Sequence, residues 1–194
     1  MASNLNIYDA DYTMEAAVRF DNSSQGMVFG TSTTTYRQGL HIGAGSNARV
    51  YQGHYAMDGS SANNTLTSDV WYHLMWTFDK SAGEMKMYLD GSLIQTQTGK
   101  LSFLGTSNIM LSRYWAYSAL DLAYARIYDT VFTASQVSIL YNEYNSVVDT
   151  IVEDSLFLSV DASNSNSYSG SGTTWTDLTG NGYNGTLING PTYD

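Results

Sequence analysis

The stretch VWYHLMWTFDKSAGEMKMYLDGSLIQTQT, residues 70–98, decides how the fold is read. In its first part Tyr72, Leu74, Trp76 and Phe78 alternate with Trp71, His73, Met75 and Thr77. That is the two-residue period of a strand, and because both sets are largely apolar the strand is expected at the centre of a sheet. Met85, Met87 and Leu89 then alternate with Lys86 and Tyr88, and Asp90-Gly91 separates them from a further run over 92–98. An Asp-Gly pair supplies the positive φ that a two-residue type I′ turn requires, so the segment predicts an antiparallel hairpin.

The same period recurs on either side. Tyr12, Met14, Ala16, Val18 and Phe20 alternate with Thr13, Glu15, Ala17 and Arg19, and further strands are expected over 109–114 and 120–128. One helix follows: Thr133 and Gln136 stand in capping-box spacing, and Val137, Leu140, Tyr141 and Tyr144 recur at three and four residues, which predicts a short amphipathic helix over 134–145 packed on the sheet. Beyond Val148 the composition changes. Residues 155–161 read as a strand through Leu156, Leu158 and Val160, whereas 162–185 are dominated by Ser, Asn, Thr and Gly and are too polar to form a core alone. The chain is therefore divided into a sandwich over 1–148 and a strand-bearing tail over 149–194. The tail is expected to dock on its own or a neighbouring sandwich through Leu156, Phe157, Leu158 and Trp175.

Composition bounds the function. With 16 Tyr, 17 Gly and one Pro among 194 residues, 43% of them hydrophobic and 13% charged, the balance favours strands and turns over helices and argues against disorder. A net charge of −10 with eight basic residues excludes a nucleic-acid binder, which needs clustered Lys and Arg, and disfavours an anionic membrane surface. No apolar run approaches the ~20 residues that cross a bilayer, and the opening Met1-Ala2-Ser3-Asn4 has neither the basic nor the hydrophobic region of a cleavable leader. Zero Cys removes disulfides, thiolate zinc sites and thiol catalysis together.

No catalytic constellation emerges. Retaining glycoside hydrolysis needs two carboxyl groups about 5 Å apart, yet the four Glu, at 15, 84, 143 and 153, never bracket an Asp on one strand. Glu15 is expected to be a solvent-facing strand residue. His41, His54 and His73 lack metal-ligand spacing and are read as ordinary strand or loop residues. The chain is read as non-enzymatic. Two binding chemistries remain. Asp177, Thr179, Asn181 and Asn184 present oxygens at alternating positions with glycines between, a candidate calcium loop that starts like an EF-hand but has Ile188 where the bidentate Glu would sit. Tyr51, Tyr55, Tyr114, Trp115 and Tyr117 fall in or beside expected loops, where aromatic faces can stack on sugar rings.

Three stretches together resemble the laminin G-like jelly-roll family of the concanavalin A-like superfamily. They are 11–18 (DYTMEAAV), 71–91 with its Met87-Tyr88-Leu89-Asp90-Gly91 hairpin, and Ala125-Arg126-Ile127-Tyr128-Asp129 followed by Phe132 to Leu140-Tyr141. This resemblance implies an all-β, antiparallel jelly-roll sandwich with one short helix towards the C-terminal region. Residues 155–162 and 172–187 resemble the opening strands of such domains in bacteriophage structural proteins, here placed after the helix, so that the order looks permuted. A sheet beginning near Tyr12 would then expose edges that the tail's strands can cover.

From the resemblance follow three expectations. The first is a capsid decoration or fibre protein of a tailed phage, located in the virion and contacting other virion proteins and further copies of itself. The second is a soluble glycan-binding module of a bacterial surface or secreted protein, hence extracellular or at the cell surface. The third is a degenerate glycoside hydrolase.

Overall fold

The computed structural model describes residues 7–21, 26–112, 119–145 and 156–188. They form two antiparallel sheets and a small ribbon. The first sheet contains β1 (Tyr12–Phe20), β6 (Trp71–Asp79), β7 (Glu84–Leu89), β8 (Ser92–Gln97), β10 (Leu120–Tyr128) and β11 (Leu156–Asp161), in the order β11-β10-β1-β6-β7-β8. The second contains β2 (Gly26–Gly30), β3 (Leu40–Gly45), β4 (Arg49–His54), β5 (Met57–Ser60) and β9 (Met110–Leu111), in the order β5-β4-β3-β2-β9. β12 (Thr174–Trp175) and β13 (Gly185–Thr186) pair as the ribbon, and α1 spans Ala134–Asn145. This is the all-β sandwich with a single short helix that the sequence implies.

The six-stranded sheet follows the alternation read from the sequence. Tyr12, Met14, Ala16, Val18 and Phe20 of β1 and Leu74, Trp76 and Phe78 of β6 enter one core with Phe29, Ile42 and Val50 of the facing sheet, and the rings of Phe29 and Trp76 meet edge to face at 6.3 Å. Each large side chain so buried contributes about 3 kcal/mol. At the β7–β8 turn Asp90 and Gly91 hold φ values of 48° and 74°, the left-handed pair of a type I′ turn.

The five-stranded sheet carries a weaker alternation than the first. Its inward positions include two polar residues, Gln52 and His54, and the core accommodates them by pairing each one. His54 Nδ1 donates to the Leu101 carbonyl at 2.8 Å, which leaves Nε2 as an acceptor for the Tyr12 hydroxyl at 2.9 Å. Gln52 Nε2 donates to the same hydroxyl at 3.0 Å and to the Thr77 carbonyl at 3.0 Å. Burial pushes the His54 pKa down to about 4, so the ring is neutral in the core.

On its outer face the six-stranded sheet carries α1. Thr133 caps the helix, its backbone N–H donating to Gln136 Oε1 at 2.9 Å while Gln136 N donates back to Thr133 Oγ1 at 3.3 Å. Val137 and Leu140 close a second small core with Met75, Tyr88, Tyr128 and Phe132. Glu15 lies beneath this cover and is fully buried, a correction to its expected solvent-facing role. Oε1 accepts from His73 Nε2 at 2.9 Å, Tyr124 at 3.0 Å and Arg126 at 3.2 Å, and Oε2 accepts from the Tyr128 hydroxyl at 2.9 Å. Burial works against the carboxylate, but the His73 hydrogen bond and the Arg126 charge outweigh it and hold its pKa down to about 2. Among the described residues, no helix is long and apolar enough to cross a membrane.

β11, from the tail, pairs with β10 of the same chain as an edge strand of the six-stranded sheet. Leu158 and Trp175 are buried, Leu156 and Phe157 are half-buried, and the Phe157 ring stacks on Tyr183 at 5.0 Å.

Candidate functional site

Because Val50, Gln52 and His54 point inward, Arg49, Tyr51 and Gly53 of β4 point to the outer face of the five-stranded sheet, together with His41 of β3 and Asp58 of β5. His41 and Asp58 both stand opposite Gly53, one on each neighbouring strand. Their side chains meet above it, His41 Nε2 to Asp58 Oδ1 at 2.6 Å. A Cβ at position 53 would lie 2.2 Å from that nitrogen and 2.4 Å from that oxygen, so the pair exists because residue 53 is glycine. The Tyr51 ring lies 5.4 Å from the His41 ring at 35°, and the Tyr55 ring 6.3 Å away at 90°.

The imidazole is 5% exposed and the carboxylate 40%, so His41 anchors and Asp58 faces solvent. Burial opposes the Asp58 charge, but the hydrogen bond and charge of His41 and the Tyr51 hydrogen bond hold its pKa below the ordinary carboxylate range. The Lys100 ammonium donates to the Asp58 backbone carbonyl, and Arg49 bonds the Ser46 carbonyl and Ser60 hydroxyl beside Tyr51. The result is an oriented, acceptor-only carboxylate on an imidazole that packs against two aromatic rings, above a glycine in the sheet surface. It suits a ligand with O–H donors on its rim and C–H groups on its face. Glycoside hydrolysis by the common retaining or inverting routes uses a matched pair of carboxyl groups. Glu15 does not serve as a partner, since it is enclosed on the other sheet.

Of the aromatic residues singled out in the sequence, the structure brings Tyr51 and Tyr55 together, and Tyr51 sits on a strand, not in a loop. Tyr114, Trp115 and Tyr117 lie outside the described residues. His41 and Asp58 were not anticipated as a site. Seventeen residues apart, they are related only by the strand register.

The loop read as a calcium site is organised differently. Asp177 Oδ1 accepts from the backbone N–H groups of Ser159 and Thr179, each at 3.0 Å, and Oδ2 accepts from the Thr179 hydroxyl at 2.7 Å and the Tyr183 N–H at 3.3 Å. Asn184 Oδ1 accepts from Asp177 N at 2.9 Å, and Asn181 Nδ2 donates to the Phe157 carbonyl at 3.0 Å. The carboxylate lone pairs are taken by protein donors, so Asp177, Thr179, Asn181 and Asn184 as arranged do not fit a calcium ion. Among the described residues, no group of three or more His, Asp or Glu is placed to hold a metal.

Instead, the loop finishes a sheet edge. The backbone groups of Phe157, Ser159 and Asp161 that point away from β10 are met by Asn181, by Asp177 with Leu178 N–H, and by Ser167 Oγ.

A family model described as the concanavalin A-like lectin/glucanases superfamily matches residues 1–138. No curated protein matches the sequence. Among solved structures, a candidate carbohydrate binding protein from Bacteroides ovatus is similar with a TM-score of 0.68 and 18% identity; the match covers 95% of this chain and 56% of that one. The CBM40 of Ruminococcus gnavus IT-sialidase, bound to α2,3 sialyllactose, is similar with a TM-score of 0.59 and 12% identity over 72% of this chain and 86% of that one. Domain 4 of AbnA, a GH43 extracellular arabinanase from Geobacillus stearothermophilus, in complex with arabinotriose, has a TM-score of 0.53 and 18% identity over 70% and 68% of the two chains. At these identities the likeness is one of fold.

Proposed function

This chain belongs to the concanavalin A-like lectin/glucanases superfamily, and we propose that it is a non-enzymatic glycan-binding module that takes a sugar between Tyr51 and Tyr55, against the Asp58 carboxylate. The observation that carries the reading is the His41–Asp58 pair above Gly53, in which a half-exposed acceptor is fixed by an imidazole that packs against the Tyr51 and Tyr55 rings. Similar folds with arabinotriose or sialyllactose in place support it. That support favours the glycan-binding reading over the virion one, for which the similar structures offer none.

The test is a glycan array followed by calorimetric titration of the best glycan with wild type, Tyr51→Ala and Asp58→Asn, each checked for native circular dichroism. Binding by wild type and a loss of tenfold or more in both variants is the expected result. No binding across a broad array, or binding untouched by both substitutions, overturns the proposal.

A further inference from the structure

The outer face of the six-stranded sheet carries a second aromatic platform. α1 ends at Asn145 with Tyr144 stacked on His73 at 5.4 Å, and the next outward position along β6 is Trp71, two residues on. Trp71 is 42% exposed, although Trp is normally well buried. Beside it in register lies Arg19 of β1, and beside Arg19 lies Asp121 of β10, so three neighbouring strands present one row, Trp71-Arg19-Asp121. The Arg19 guanidinium sits 5.8 Å from the Trp71 ring centroid, and its Nε donates to Asp121 Oδ2 at 2.7 Å. Asp121 itself is 46% exposed.

We propose that this row is a second sugar-contact site, for a neutral pyranose, on the side of the sandwich opposite the His41–Asp58 site. The indole offers an apolar face for sugar C–H groups, and the guanidinium–carboxylate pair, held rigid by its own bond, offers donors and acceptors for hydroxyls. One ring and one ion pair match the footprint of a single sugar residue. A protein–protein interface needs about 800 Å² per partner. The charges fix the class of sugar. Within the row Arg19 and Asp121 neutralise each other, and Asp69 and Asp21 also act on the Arg19 guanidinium, so the surroundings of the pair are net negative and repel an acidic sugar while accepting hydroxyl donors. With sites on opposed faces, one molecule bridges two glycan chains.

The inference shares the glycan-binding reading but not its site, and affinity electrophoresis separates the two. The full chain, Trp71→Ala, Trp71→Phe, Tyr51→Ala and the Trp71→Ala/Tyr51→Ala double variant are run in gels containing a mannan, a galactan, a β-glucan or a sialylated glycoprotein. Expected are retardation of wild type in at least one neutral gel, partial loss in Trp71→Ala with recovery in Trp71→Phe, and complete loss in the double variant. Wild type is expected to precipitate that polysaccharide, and Trp71→Ala is not. If Tyr51→Ala abolishes retardation while Trp71→Ala matches wild type, the second site is refuted and the first stands. If only Trp71→Ala matters, the first site is refuted and the second stands. Retardation by the sialylated glycoprotein that depends on Trp71 overturns the neutral assignment, and no retardation in any gel overturns both sites.

Discussion

The Tyr12 hydroxyl donates to His54 Nε2 at 2.9 Å across the sandwich, joining the first strand of one sheet to an inward position of the other. The bond requires a neutral imidazole, because Nδ1 already donates to the Leu101 carbonyl. A protonated His54 would turn an N–H towards the Tyr12 oxygen, which already receives the Gln52 amide, and would place a charge in the core.

Stability should therefore fall in acid in two steps. His54 has a folded pKa of about 4, below the ordinary 6.5, so its contribution is complete above pH 6.5 and is lost as pH falls towards 4. At about 1.4 kcal/mol per pH unit per proton this amounts to roughly 3 kcal/mol. Glu15, with a folded pKa of about 2 against 4.5, contributes fully above pH 4.5 and loses that contribution as pH falls towards 2. Urea midpoints at pH 7.5, 5.5, 4.5 and 3 measure both steps. A His54→Gln variant should lose the upper step and keep the lower one, and an unchanged upper step in that variant would show that another group is responsible.

Glu15→Gln should destabilise the protein by about 3 kcal/mol, because Arg126, only 12% exposed at its side chain, then keeps its positive charge without its counter-ion. Glycan affinity should be unchanged, since Glu15 is buried under α1 on the sheet that lacks the His41–Asp58 site. Urea denaturation and calorimetric titration read the two effects separately. A loss of affinity at unchanged stability would mean that Glu15 has a role in binding.

Asp177→Ala removes the acceptor for four donors and should cost about 2–3 kcal/mol. It also frees the Ser159 backbone at the sheet edge, so concentration-dependent association is expected in size-exclusion chromatography with light scattering. Calcium chloride or a chelator should leave the melting temperature of wild type unchanged. A calcium-dependent rise of several degrees would restore the metal reading.

Gly53→Ala should lower glycan affinity at least tenfold, because the new methyl group occupies the space in which His41 and Asp58 meet. Calorimetry against the array-selected glycan tests this, with circular dichroism confirming the fold. Unchanged affinity would show that the pair does not orient the ligand.

The six-stranded sheet was legible because its outer face is covered or mixed while its inner face is apolar. The alternation over 12–20 and 84–89 and the Asp90-Gly91 turn give direct signals, and Thr133 with Gln136 marks the helix start. The five-stranded sheet is less legible. Gly43, Gly45 and Gly53 erase the outward half of the alternation, their missing side chains making room for the β2 backbone, the Tyr51 ring and the His41–Asp58 pair, while Gln52 and His54 break the inward half. Tyr51 and Tyr55 could be singled out by residue type alone. Their partners could not, since His41 and Asp58 become neighbours only when β3 and β5 are placed on either side of Gly53. In the tail, the oxygen-rich side chains were visible, but a cation loop and a set of edge caps use the same residue types.

The position of β1 between β10 and β6 has a consequence during synthesis. β1 is complete at Phe20, its first partner begins at Trp71 and its second at Leu120. At about 5–20 residues per second, the first pairing waits several seconds after β1 is made, and the second about twice as long. For that interval the nascent chain carries Tyr12, Met14, Val18 and Phe20 without a partner strand. Slow refolding dominated by distant contacts is built into this order of strands.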